Sequence, residues 1–380
     1  MGSVFPHVDA WQTNHGDLML IESMRPRSYR TQAITKRIAE EPFKTALRGA
    51  WRAVDIEGFF AHCVANESMA QALAAAPGVE VKTDDRNLVE FGFARAVGVS
   101  AANLTSSARA LAIGLRTSRP RLDDSATINW PAVDTAWVSY EAAEFSTAAA
   151  PGASADSPDE TARRLALVSD YVNGDSSTAR QAWARQFGAP RDPNEIAMLA
   201  DLNPSMGDDE ALPYIERLRA YDAGEADTIL ATLRRRQARL DEAATALESA
   251  LVHYRKGPWA LLRFKQQAIN LASDLGGRSP ALARRMWQAL NGPFAIEAMR
   301  EQRWLARAGV STAVGFKDVC REAIAPLEPR VPWTDEFLVL RRSCYEATTD
   351  PRLGKATGDL LEFRRHQPLP LGAGVGTPRS

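Results

Sequence analysis

Cysteine is scarce: three residues, Cys63, Cys320 and Cys344, in a chain of 380. That number excludes a disulfide framework and any cysteine-rich zinc module. Histidine is nearly as rare. His7, His15, His62, His253 and His366 include no two at metal-ligand spacing, and H-E-x-x-H and C-x-x-C are both absent. No uncharged apolar run approaches the ~20 residues that would span a bilayer. Met1–Ala10 lacks the basic start and apolar core of a signal peptide. Met1-Gly2-Ser3 opens like a myristoylation site, but Pro6 stands where Ser or Thr is needed. Excess charge is missing too. Lys+Arg total 46 and Asp+Glu 47, a net charge of −1. A nucleic-acid binder should be clearly basic on at least one domain, so no nucleic-acid partner is expected. The expectation is a cytoplasmic protein, held at the inner face of a membrane only through a partner.

Catalytic signatures are absent as well. The chain has no G-x-S-x-G elbow, no Walker loop and no G-x-G-x-x-G after a strand. Ala373-Gly374-Val375-Gly376 is glycine-rich, but no strand precedes it and no helix follows. The expectation is therefore no catalytic, cofactor-binding or metal-ligating residue, and a chain that is non-catalytic on its own.

Alanine is what the chain has in quantity, 64 residues, with 39 Arg against 7 Lys. Both Ala and Arg favour helix. The Arg excess is as expected from a GC-rich genome. Gly and Pro, 24 and 22 residues, are spread as punctuation and predict many short helices.

The opening segment reads as strand. Val8–Thr13 alternates, Asn14-His15-Gly16 is a turn, and Asp17–Glu22 is a second, apolar strand. An isolated hairpin is marginal in water and needs a surface to lie on; the sheet it would complete is not expected in this chain. Short helices follow over Ser28–Glu41, Phe43–Val54, Asp55–Ala65 and Ser68–Ala76. Leu88–Phe93 could be a strand. Asn103–Arg116 and Pro131–Phe145 carry apolar residues along one side. Ser146–Ser157 holds only small residues and reads as a linker. Ser157-Pro158-Asp159-Glu160 then predicts a helix start with Ser157 as the cap.

Beyond it a repeat emerges. Asp175, Asp208 and Asp241 are 33 residues apart in both intervals, each placed in a turn between helical segments. Ala179, Ala211 and Ala244 follow the turns. The clearest unit is Ala226–Tyr254, with a turn over Gln237–Ala243 and Pro258 closing it. Trp259–Leu290 is a weaker unit with Gly276-Gly277-Arg278 at its turn and Ala283 beyond. A period near 34 in helix–turn–helix units is the signature of tetratricopeptide-type arrays, in which small residues let two helices approach and large ones bury against the next hairpin. Three further helices are expected, Ile296–Ala308, Val314–Ala325 and Trp333–Ala347. Arg300, Arg303 and Arg307 line one side of the first. The Pro- and Gly-rich end reads as a disordered tail.

Two charged clusters are candidate sites. Thr83-Asp84-Asp85-Arg86 could bind a cation, although adjacent side chains in an extended segment point to opposite sides. Arg234-Arg235-Arg236 with Arg239 is the densest basic run; Arg235 and Arg239 are the candidate groove residues.

Phe5-Pro6-His7-Val8 to Trp11-Gln12-Thr13, Gly16–Ile21 and Thr83-Asp84-Asp85-Arg86-Asn87-Leu88-Val89-Glu90-Phe91 together resemble the C-terminal end of spermidine-synthase-like proteins. The match is closest to the large bacterial form, in which a membrane-embedded region is fused to the synthase-like domain. The resemblance covers about a quarter of the chain, and Lys82 stands where the family often has Asn. It implies that the hairpin closes a methyltransferase-like Rossmann sheet. Family activity needs a Gly-rich cofactor loop and an acidic loop upstream of that hairpin, so no catalytic residue carries over, and the chain reads as a C-terminal piece.

The expected fold is mainly α, a tetratricopeptide-like hairpin array preceded by a small α/β remnant. The expected divisions are 1–100 (synthase-like remnant), 101–156 (helical connector and linker), 157–292 (repeats), 293–366 (C-terminal helices) and 367–380 (tail). The expected function is a non-catalytic module that binds a protein or peptide through the repeat surface. The alternative is the C-terminal part of a polyamine aminopropyltransferase-like enzyme that needs an upstream synthase-like or membrane-embedded chain.

Overall fold

The computed structural model describes residues 5–14, 17–77, 104–123, 127–144, 159–172, 176–202 and 209–366. It is mostly helical, with a small antiparallel sheet near the start. The chain divides into two compact units, Met1–Leu202 and Asn203–Ser380. That division falls within the span 157–292. The expected features at His15-Gly16, Thr83–Arg86, Leu88–Phe93, Ser146–Ser157, Asn173–Asp175, Met206–Asp208 and 367–380 lie outside the described residues.

In the first unit, β1 (His7–Asn14) pairs antiparallel with β2 (Asp17–Ser23), as the alternation predicts. Helices α1 (Thr31–Ile38), α2 (Phe43–Ala50) and α3 (Ile56–Phe60) follow. Asp55 caps α3, accepting from the Gly58 N–H at 2.8 Å. The helix expected over Asp55–Ala65 stops at Phe60, and Cys63–Ala65 becomes β3, paired antiparallel with β1. The cause is Arg109. Its buried Nη1 donates to the Ala61 and Cys63 carbonyls at 2.8 and 3.0 Å, drawing them out of a helical ladder. The sheet order is β2-β1-β3. Part of the sheet that the hairpin needs therefore lies in the chain itself, contrary to expectation. The remaining helices of this unit are α4 (Glu67–Ala74), α5 (Leu104–Gly114), α6 (Trp130–Glu144), α7 (Glu160–Val172), α8 (Ser176–Gln186) and α9 (Pro193–Leu202).

β1 is covered on both faces. Trp11 packs among Phe60, Ile128, Val133 and Trp137, while Ala10 lies against Ala65, Met69 and Ala112. α7 begins at Glu160, with Asp159 ahead of it, its Oδ2 accepting from the Ala162 N–H at 3.2 Å; the expected cap, Ser157, lies outside the described residues. A carboxylate is as good a cap as a hydroxyl and sits one residue ahead of the helix. The Ser/Asp-Pro-x-Glu pattern works at α9: Asp192 accepts from the Asn194 and Glu195 N–H groups at 2.7 and 3.1 Å, with Pro193 first in the helix.

The second unit is a succession of helical hairpins. After a short 3-10 turn at Asp209–Ala211 come α10 (Leu212–Arg219), α11 (Ala223–Arg236), α12 (Leu240–Lys256), α13 (Leu262–Gly276), α14 (Pro280–Ala289), α15 (Arg300–Val310), α16 (Thr312–Ile324), α17 (Asp335–Ala347) and α18 (Leu353–His366). α11 packs on α12, α13 on α14, α15 on α16 and α17 on α18. Between hairpins, α11 meets α13, α13 meets α15 and α15 meets α17; likewise α12 meets α14 and α14 meets α16. Hairpin pairing therefore continues through residue 366, past the expected boundary at 292.

Side-chain size explains the spacing. Ala179, Ala211, Ala244 and Ala283, the small residues marked in sequence, are all fully buried. Ala231, Ala243, Ala250, Ala268 and Ala272 join Leu247, Leu251, Leu275 and Met286 in the largest cluster. Gly224 lets α11 slide beneath Tyr254 of α12; a Cβ there would sit 2.5 Å from the Tyr254 ring. Gly276 does the same between hairpins, where a Cβ would lie 2.8 Å from Val310. Asp222, Ser279 and Thr334 cap α11, α14 and α17. The α11–α12 turn is shorter than Gln237–Ala243: Ala238 takes a positive φ of 58° and α12 begins at Leu240.

Polar groups lock the hairpins. Buried Arg341 of α17 bonds Glu328 at 2.8 Å and Asp359 of α18 at 2.5 Å, and the Tyr345 hydroxyl also bonds Glu328. A single disulfide joins Cys320 of α16 to Cys344 of α17, 24 residues apart, both buried. Two of the three cysteines are thus paired, although too few exist for a framework.

Candidate interaction surface

The two expected groove residues lie near the α11–α12 turn, engaged with carboxylates. Arg235 Nε donates to Asp274 Oδ2 of α13 at 2.8 Å. This hydrogen bond raises the Arg235 pKa and lowers that of Asp274. Arg278 bonds the other oxygen of Asp274 at 2.8 Å. Arg239 turns back on its own helix, to Glu242 at 2.7 Å. Arg234 is shared between Gln237 at 2.8 Å and Asp209 and Glu242 at 3.5 Å. The basic run is largely neutralised in place, and Arg235 serves as a tie between successive hairpins. The Thr83–Arg86 cluster lies outside the described residues.

A different set of groups is left open beside Arg235. Along α13, Leu262, Gln266, Asn270 and Ser273 follow at helical spacing on one side. Leu262 is 42% exposed, and Asn270 and Ser273 are exposed too. Gln266 Nε2 donates to Asn270 Oδ1 at 2.9 Å, which fixes both amides. The Asn270 NH2 and the Gln266 carbonyl keep unused capacity. A carboxamide both donates and accepts, which matches the alternating N–H and C=O of an extended peptide. Gln267 and Thr232 join α13 to α11 at 3.2 Å, next to this strip. Sequence reading passed over these amides because uncharged polar residues on a helix carry no distinctive pattern. Position four residues apart on the first helix of a hairpin was the signal available.

The first unit holds several strongly perturbed groups. His62 is fully buried, stacked on Trp51 at 4.1 Å and edge-on to Tyr140. Burial pushes its pKa down to about 3. Burial likewise pushes the Cys63 thiol up to about 12. A neutral imidazole beside an un-ionised thiol is not a nucleophile–base pair. Tyr29 donates to Asp9 Oδ2 at 2.7 Å and accepts from Trp11 Nε1 at 3.2 Å. Burial raises the Asp9 pKa, opposed by that Tyr29 bond. Arg164 meets Glu195 at 2.9 Å, both buried. These arrangements hold elements together.

Among the described residues, no group of three or more His, Cys, Asp or Glu is placed to hold a metal ion. No helix among them is long and apolar enough to cross a membrane. No family model, curated protein or solved structure matches the chain.

Proposed function

We propose that residues 209–366 form a tetratricopeptide-like helical-repeat module that binds an extended segment of a partner protein or peptide, without catalysis of its own. The carrying observation is the stacking in two rows, α11, α13, α15 in one and α12, α14, α16 in the other. Serial stacking of hairpins gives a continuous core with a long face on each row, and such faces are binding surfaces. The amide strip on α13 supplies backbone hydrogen bonds, and Leu262 supplies an apolar contact at its end. The Arg235–Asp274 tie holds the α11–α13 spacing.

The test is peptide-display selection against the purified full chain, followed by the double variant Gln266→Ala/Asn270→Ala. The expected result is peptides that bind the parent and lose at least about tenfold in affinity to the variant, since two hydrogen bonds at about 1 kcal/mol each are removed. Selected peptides that bind both proteins equally would overturn the assignment of the face.

One observation favours a second reading. Among the described residues β2 is an outer strand of its sheet, yet Leu18–Ile21 is a continuous apolar run with Met19 and Leu20 more than 40% exposed. Such runs suit strands paired on both sides. In that reading β2 accepts a strand from an upstream synthase-like chain, completing a polyamine aminopropyltransferase-like sheet. Co-expression with the upstream reading frame tests it: a stable co-purifying complex, lost in Leu20→Lys, is expected, and independent elution of the two chains contradicts it.

A further inference from the structure

The C-terminal end of α14 is surrounded by arginines. Arg255, from the last turn of α12, donates through Nη2 to the Ala289 carbonyl. Arg303 of α15 donates through Nη1 to the Leu290 carbonyl and to the Asn291 carbonyl at 3.1 Å. Arg307, one turn on, donates through Nε to the Trp287 carbonyl at 3.3 Å and stacks over the Trp287 ring at 4.0 Å. Three guanidiniums from two hairpins thus hold carbonyls of residues 287–291. Gly292 makes this possible, because a Cβ there would overlap the Arg255 guanidinium. The loop is fixed alongside α12 by the Ala295 N–H, which donates to the Tyr254 carbonyl at 2.9 Å.

Charge does not balance there. Arg303 and Arg307 are each 97% buried, from exposures of 3%. Among the described residues, the one carboxylate bonded to the three is Glu322, on Arg307 at 2.6 Å and itself 59% exposed. Glu297 lies near Arg303 but is paired with Arg300. The carbonyl end of a helix contributes about half a negative charge. Three positive charges therefore face about one and a half negative ones. Burial pushes the Arg303 pKa down to about 10, with the Arg307 and Arg255 charges adding to the effect. Donor capacity is also left over. Arg255 Nε and Arg303 Nε are buried with no partner. Buried guanidiniums normally have an anion within reach. Capping of α14 uses three of their nine guanidinium nitrogens and Glu322 a fourth, which leaves the two buried Nε groups unexplained.

We propose that Arg255, Arg303 and Arg307 form a binding site for a phosphate group, carried by inorganic phosphate or by a small phosphomonoester, that seals the junction between the α13/α14 and α15/α16 hairpins. A phosphate brings a charge of about −1.5 to −2 and three acceptor oxygens, which matches both the missing charge and the unused N–H groups. A monocarboxylate would satisfy neither as fully. The site is separate from the amide strip on α13 and does not depend on the peptide-binding reading.

The experiment uses the full chain in a phosphate-free buffer at fixed ionic strength balanced with sodium chloride. Sodium phosphate, glycerol phosphate and malonate are titrated in parallel arms, with calorimetric binding and thermal unfolding as readouts. Phosphate is expected to bind at one site and to raise the unfolding midpoint above that in chloride, as a ligand specific to the folded state must. Binding by Arg255→Gln is expected to weaken at least tenfold. Arg303→Met should abolish it; if that variant does not fold, the half-buried Arg255 position decides. A response to glycerol phosphate but not to free phosphate identifies a phosphomonoester as the source, within the proposal. Equal midpoints in chloride, phosphate and glycerol phosphate alike, an unaltered response in Arg255→Gln, or malonate binding as tight as the phosphate compound that binds would each overturn it.

Discussion

Arg341→Met removes a buried guanidinium that bonds two carboxylates on different elements. Arg341 is 1% exposed and bonds Glu328 through two nitrogens at 2.8 and 3.2 Å and Asp359 at 2.5 Å. These contacts tie α17 to α18 and to the 3-10 turn at Ala325–Arg330. Removing one partner of a buried ion pair costs about 3–5 kcal/mol, because the other charge stays behind uncompensated. Glu328 and Asp359 keep 19% and 20% exposure, so water relieves part of that, and the lower end of the range applies. A loss of about 3 kcal/mol corresponds to amide exchange roughly 150-fold faster in a segment that opens locally. Hydrogen exchange on the full chain should therefore show residues 335–366 accelerated by about two orders of magnitude. Arg342→Ala is the control. Its pair with Glu346 is exposed, at 3.2 Å, and should change exchange less than threefold. pH sharpens the test. Burial raises the Glu328 pKa, but the Arg341 and Tyr345 hydrogen bonds outweigh it and the net shift is downward. A depressed carboxyl stabilises the fold above its unfolded pKa and loses that contribution as pH falls through its folded value. The difference between parent and Arg341→Met should therefore be largest near pH 7 and shrink below pH 4. A variant that exchanges within threefold of the parent, or a difference that does not vary with pH, would refute the reasoning.

Three further outcomes follow from the packing. Gly224→Ala drives a methyl against the Tyr254 ring and should lower stability by about 1–3 kcal/mol, read as a lower thermal midpoint with helix content unchanged. His62 is held neutral by burial, its pKa pushed down to about 3 from 6.5, so the unfolded chain binds the proton first. Its contribution is full above about pH 6.5 and is lost as pH falls toward 3; His62→Gln should flatten the acid limb of the first unit's stability curve. The Cys320–Cys344 bridge closes a separation of 24 residues, and its reduction should cost about 3 kcal/mol. Dithiothreitol should lower the parent's unfolding midpoint and leave Cys344→Ser unmoved.

The helical hairpins were legible where small residues recur. Ala226–Tyr254 and Trp259–Leu290 correspond to α11/α12 and α13/α14, because buried Ala244 and Ala283 mark close approach whatever the exact period. The strict interval of 33 on Asp was less informative. Asp241 stands in the first turn of α12, and the first helices of the four hairpins begin at Ala223, Leu262, Arg300 and Asp335, with uneven steps. Helix starts were less legible, since Ser157 and Asp159 are both good caps by residue type and spacing alone. β3 was invisible: Cys63–Ala65 is three residues long and depends on Arg109, 46 residues away from Cys63 in sequence. The same long-range dependence hid the arginine cluster. Arg300, Arg303 and Arg307 line one side of a helix in sequence, but only the third dimension buries two of them beside Arg255. The partners of the α11–α12 turn were hidden in the same way, as Asp274, 39 residues on from Arg235, meets it only in the fold.

The most direct test of the central proposal is a hydrogen-exchange difference map of the full chain with and without a display-selected peptide. A repeat face predicts added protection on α11, α13 and α15, strongest around Gln266 and Asn270. Protection confined to α12, α14 and α16, or to residues 5–202, would contradict it.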